Sequence, residues 1–143
     1  MRLSTLAVVT ALGTLAVVAC GNQKELPFDP GGTPPDPEAT FTRVQGEVFS
    51  ASCALSGCHA GAAPQAGMDL SLGVAYQNTV GVSSTERADL WRIAPGDPDS
   101  SYLIKKVRGD PDISGSRMPF GGTLGASQMR LLTDWVRRGA PRD

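Results

Sequence analysis

Apolar side chains follow three different patterns along this chain. The first is a block: residues 1–19 hold thirteen hydrophobic residues, and Arg2 is their only charge. The block is short for a membrane span and is interrupted by Gly13 and Thr14, so it predicts an export signal. The second pattern is a lack of apolar periodicity. Residues 21–40 carry five prolines and the pair Gly31-Gly32, which disfavours a helix or inner strand and predicts an extended spacer. The third pattern, over residues 41–143, is periodic in short bursts, and one folded domain is expected there.

Within that domain Val44 and Val48 lie four apart, flanked by Phe41 and Phe49, and predict a helix over residues 42–51 capped by Thr42. Gly46 falls inside it. A helical glycine costs about 1 kcal/mol relative to alanine, so close approach of another helix, the last one, is expected as compensation. A short helix is predicted through Val74, Ala75 and Tyr76. Leu90-Trp91-Arg92-Ile93 alternates and reads as a short extended piece closed by the turn Pro95-Gly96. Asp97-Pro98-Asp99 predicts the start of a further helix, with aspartate as cap and proline at the first position, where no donor is lost. Leu103 and Val107 share its inner face, and Gly109 ends it. The last helix, residues 126–138, carries the stripe Met129, Leu132, Trp135 and Val136 and stops at Gly139. Residues 60–67 and 110–123 read as loops. The expected fold is all-α: three to four short helices and long loops around one centre.

Composition adds that the core is thin. Hydrophobic residues make up 41% of the chain but aromatics only 6%, so a central apolar group would be needed to pack it well. The net charge is −1 and no basic stripe suits nucleic acid. From Lys105 onward eight basic residues face four acidic ones, which reads as a solvated face or as a docking edge for an acidic partner protein. Of three cysteines, Cys20 follows Val17-Val18-Ala19 and precedes Gly21. That segment resembles the bacterial lipobox, which implies cleavage before Cys20 and its lipidation. The protein is then exported and lipid-anchored to a bacterial membrane, facing the periplasm or the cell surface; each buried CH₂ of the anchor contributes roughly 0.8 kcal/mol. Cys53 and Cys58 remain as a pair in an oxidising compartment.

That pair stands in Cys53-Ala54-Leu55-Ser56-Gly57-Cys58-His59, and His59 is the only histidine in the chain. Two thiols followed at once by an imidazole suit a c-type haem: the thiols add to its vinyl groups and the histidine reaches its iron. Four residues separate the cysteines here, where two are usual. Met118, in Arg117-Met118-Pro119-Phe120-Gly121-Gly122, is the candidate for the other iron face. The proline favours an extended backbone at Met118, and a thioether ligand raises the reduction potential. Met68 and Met129 read as core fillers. Three alternatives stay open. A Cys53–Cys58 disulfide would leave an exported, non-redox binding or structural domain. Zinc on Cys53, Cys58 and His59 would lack a fourth ligand. An iron face left open by Met118 would bind a small gas or peroxide. Ser83-Ser84 and Ser100-Ser101 have no base beside them and read as turn and cap residues, so an enzyme is not expected.

Four pieces recur here in a fairly specific order: Ser52-Cys53 to Cys58-His59-Ala60-Gly61; Pro95-Gly96-Asp97-Pro98 with Ser101-Tyr102-Leu103; Arg117-Met118-Pro119; and Leu124 through Trp135-Val136 to Gly139-Ala140. In these the chain resembles small monohaem, class I-like cytochromes c of the planctomycete and myxobacterial lipoprotein type. The resemblance implies an electron-transfer domain whose first and last helices cross, with one covalent haem c. Cys53 and Cys58 would be the thioether positions, His59 the proximal ligand and Met118 the distal one, and the partners would be redox proteins.

Overall fold

The computed structural model describes residues 33–143. The export signal, the lipidation position Cys20 and most of the spacer lie outside the described residues. The folded unit is Pro34–Asp143, so the last spacer residues belong to the fold: Ala39 is fully buried, and its carbonyl accepts from Arg138 Nη1 at 2.6 Å.

Helix α1, Phe41–Arg43, runs without a break into a π-helical segment, Val44–Cys53. Its cap is Thr40 rather than Thr42. Thr40 has the extended backbone a cap requires (φ −91, ψ 158), and its hydroxyl accepts from the Arg43 N–H at 3.3 Å. Thr42 instead donates its hydroxyl to the Asp143 carbonyl at 2.9 Å. The wider π winding appears at the end of the segment, where the Ala54 N–H donates to the Phe49 carbonyl at 2.7 Å. Val44, Gln45, Val48 and Phe49 form its buried face. Gly46 is on the other side: it is exposed, and a Cβ there would meet nothing within 4 Å. No helix approaches through it, and the expected compensation is absent.

Helix α2 is Ala75–Thr79, α3 is Tyr102–Arg108 and α4 is Ala126–Arg137. The α3 helix begins later than Asp97-Pro98-Asp99 suggested. Asp97 Oδ1 accepts from the N–H groups of Asp99 and Ser100, each at 3.0 Å, and closes a local turn. Ser101 is then extended, with its hydroxyl donating to the Asp97 carbonyl at 2.7 Å, so helical winding starts only at Tyr102. Gly109 ends α3 in the left-handed region at φ 77. No strand forms among the described residues; residues 80–101 make isolated bridges, Trp91 with Ser83 and Ser101, and Val80 with Ile93. Strict alternation is lost there. Arg92 and Ile93 are both buried, whereas Trp91 is 52% exposed.

The domain is therefore helical, and α4 holds it together. It packs on the π segment and on α3, burying Leu131, Leu132, Trp135 and Val136 with Met129 half-buried beside them. The Gln128 amide ties the start of α4 to the first helix by donating to the Glu47 carbonyl at 2.7 Å. The Phe41 ring packs between α4 and α2, with centroids 5.6 Å from Trp135 and 5.1 Å from Tyr76. Among the described residues no helix is long and apolar enough to cross a membrane.

Candidate functional site

The segment after the π helix folds back on itself through backbone hydrogen bonds. The Cys58 N–H donates to the Leu55 carbonyl at 2.9 Å and the His59 N–H to the Cys53 carbonyl at 3.1 Å. Gly57 sits at φ 79, a turn conformation that side chains avoid. The four-residue spacer is thus a compact turn that returns His59 to Cys53. Both thiols are free, Cys53 half-buried and Cys58 exposed. Burial, with a smaller contribution from the nearby Cys58, pushes the Cys53 thiol up to about 11.

His59 is oriented by backbone. Its Nδ1 lies 3.1 Å from the Gln65 carbonyl and 3.3 Å from the Met68 carbonyl. Carbonyls only accept, so Nδ1 is the donor, and in the neutral ring the lone pair that a metal would take is on Nε2. A backbone carbonyl on the far nitrogen is the usual means of fixing a ligating imidazole. The carbonyls come from the two ends of a 3₁₀ turn, Gln65–Gly67, which Gln65 opens and Met68 follows, and the Leu70 N–H returns to the His59 carbonyl at 2.8 Å.

Cys53, Cys58, His59 and Met118 all line one cavity of about 490 Å³, within the range of about 300–1,000 Å³ typical of small-molecule and cofactor sites. The sequence-predicted set, scattered over 66 positions, is brought together. The rest of the lining is mainly apolar, including Leu55, Met68, Leu70, Leu103, Val107 and Phe120. Phe120 is 80% exposed and Leu55 48% exposed, so both stand at the surface end of the lining. Met129 is not among the lining residues, whereas Met68 both packs on the core and lines the cavity. No protein family, curated relative or solved structure matches this chain.

Three polar lining residues were not legible in the sequence: Arg92, Tyr102 and Lys106, all at most 8% exposed. Arg92 donates to the carbonyls of Asn78 (2.8 Å), Ala66 (3.0 Å) and Gly67 (3.3 Å). None of these is charged, and Arg92 takes part in none of the ion pairs among the described residues. Desolvation lowers its pKa from the usual arginine value, although guanidinium stays protonated. Arg92 is thus a cavity-lining cation whose hydrogen-bond partners are all backbone carbonyls. Lys106 Nζ pairs with Glu86 at 3.0 Å and donates to the Ser114 carbonyl at 2.7 Å. Nothing local marks these residues; a lysine on a short helix and an arginine in an irregular segment look solvated until the chain is folded.

Among the described residues, no three His, Cys, Asp or Glu side chains gather closely enough to hold a bare ion. Cys53, Cys58 and His59 instead share the lining of the one cavity. The basic excess after Lys105 is largely spent on local pairs: Lys105 with Asp112 (3.0 Å), Arg108 with Asp99 and Asp110 (both 2.7 Å), and Arg138 with Asp143 (3.2 Å).

Proposed function

We propose that this chain is a lipid-anchored, exported electron-transfer protein, a small cytochrome c with one covalent haem c and no enzymatic activity of its own. The single observation that carries the reading is the shared cavity: two free thiols, a histidine whose Nε2 keeps its lone pair, and a methionine sulfur line one mostly apolar space of about 490 Å³. Cys53 and Cys58 would hold the haem by thioethers, and His59 and Met118 would be its axial ligands. A haem there supplies one-electron redox at its iron.

The chain's own residues account for the rest. Gln65 and Met68 carbonyls hold His59 as the Nδ1–H tautomer. Leu70, Leu103 and Val107 keep water from the site, and burial of this kind is one of the determinants of a haem's potential. The Arg92 guanidinium, bonded only to backbone carbonyls, would suit an acidic substituent, which haem has in its propionates. Lipid on Cys20 and the proline-rich spacer would hold the domain near a membrane and within reach of redox partner proteins.

Protein purified from a host that attaches haem c should be red, give a pyridine haemochrome spectrum and carry the mass of one haem. Replacing Met118 with alanine should lower the reduction potential by on the order of a tenth to a third of the ~0.8 V that axial ligands span. Colourless protein, lighter than its reduced form by the two thiol hydrogens, would identify a disulfide-bonded, non-redox domain and overturn the reading.

A further inference from the structure

The segment that brings Met118 to the cavity has no regular structure of its own. Between Gly109 and Leu124 it is loop, and its shape is imposed by α3. Four hydrogen bonds tie the two together. The Ser114 N–H donates to Tyr102 Oη at 2.8 Å. The Ser114 carbonyl accepts from Lys106 Nζ at 2.7 Å. Arg117 Nε donates to the Val107 carbonyl at 2.9 Å, and the Met118 N–H to the Lys106 carbonyl at 2.9 Å. Ser114 is thus gripped on both its backbone groups by two side chains that are themselves 4% and 8% exposed.

Such an arrangement is costly. Burying an ammonium requires good compensation, and Lys106 receives it from Glu86, from Ser114 and from the Tyr102 ring, 5.9 Å from its Nζ to the centroid. A leucine at 106 would fill the same helix face without this demand. What the lysine adds is a fixed loop, and among the described residues that loop carries the one methionine outside the α4 stripe and the segment after His59.

We propose that Tyr102 and Lys106 are positioning residues for Met118: by clamping Ser114 they hold the methionine sulfur in the cavity and set how often it leaves the iron. This rests on the haem reading with Met118 as ligand. If the clamp is loosened, the fraction of molecules with the sixth position vacant rises. The apparent affinity for an added ligand rises in the same proportion.

The test uses haem-loaded protein and imidazole as the added ligand, titrated by visible spectroscopy, with the near-infrared sulfur–iron band and the reduction potential recorded alongside. Tyr102→Phe and Lys106→Met should each raise imidazole affinity about three- to tenfold, the effect of losing one net hydrogen bond, while weakening the near-infrared band and lowering the potential. Thr79→Val serves as the control for general destabilisation. Its hydroxyl donates to the Ala75 carbonyl at 2.8 Å within α2, away from the cavity lining, and its loss should leave imidazole affinity at the parental value. Equal imidazole affinity in the parent and both clamp variants, or an equal rise in Thr79→Val, would overturn the clamp. Met118→Ala separates the two levels. If it binds imidazole more tightly than the parent while the clamp variants do not, only the clamp fails. If it binds no more tightly than the parent, Met118 is not on the iron, and the ligation fails with it.

Discussion

Cys53 and Cys58 are close in sequence but differ in surroundings, and the difference is measurable before any cofactor is attached. Cys53 is half-buried at the end of the π segment, and its thiol is pushed up to about 11. An acid whose folded pKa exceeds its unfolded value holds its proton longer when folded. Stability is therefore complete below the ordinary thiol value of about 8.5 and is lost as pH rises towards the folded value. For the haem-free protein, denaturant unfolding should show a loss of about 3 kcal/mol between roughly pH 8.5 and 11, and Cys53→Ala should remove that slope relative to the parent. Alkylation near neutrality should reach the exposed Cys58 first. The thiols and His59 were legible because they sit within seven consecutive positions and carry distinctive chemistry. Met118 was legible only as a candidate, since its sequence gives a loop and a thioether but no distance. Arg92, Tyr102 and Lys106 were invisible, because their role depends on a burial that long-range packing alone creates.

At the scale of elements, the four α-helices of the described residues fall where helices were expected, but the π winding of Val44–Cys53 and the 3₁₀ turn Gln65–Gly67 were not foreseen, and capping chemistry misplaced two helix starts. Thr40 and Thr42 are chemically equivalent caps, and the choice went to the one with an extended backbone. Asp97 makes a sound cap for a turn that does not continue, because Ser101 interrupts the winding. Glycines show the same limit. Gly46 and Gly109 look alike in sequence, one inside a helix and one after it. Gly46 faces open space, so Gly46→Ala should stabilise the domain by about 0.5–1 kcal/mol. Gly109 lies at φ 77, and a Cβ there would come within 2.8 Å of Arg117 Cδ. Gly109→Ala should cost more than about 1 kcal/mol, and it strains the same loop that carries Met118. Chemical denaturation of the two variants should therefore shift the midpoint in opposite directions. Equal effects would mean that the left-handed stop after α3 is not a fixed feature.

For the whole molecule the question is how a thin core stays folded around a large cavity. Phe49, Ile104, Leu132 and Trp135 are fully buried, but they lie in the layer between the π segment, α3 and α4, and the cavity removes apolar neighbours from Leu70, Leu103 and Val107. A disc-shaped apolar ligand covering a few hundred Å² of that lining would contribute on the order of 5 kcal/mol, at about 25 cal/mol per Å². That matches the lower end of the ~5–15 kcal/mol that keeps a typical domain folded. The group that does the chemistry would therefore also be a large part of the core, and attachment through Cys53 and Cys58 would make its contribution permanent. A variant with both cysteines changed to alanine, unable to keep a haem, should melt at lower temperature and over a broader range than the haem-loaded parent, with helical dichroism partly retained below the transition. A sharp melt at the parental temperature would show that Trp135 and its neighbours suffice by themselves, and that the cavity is a site the fold tolerates rather than one it is built around.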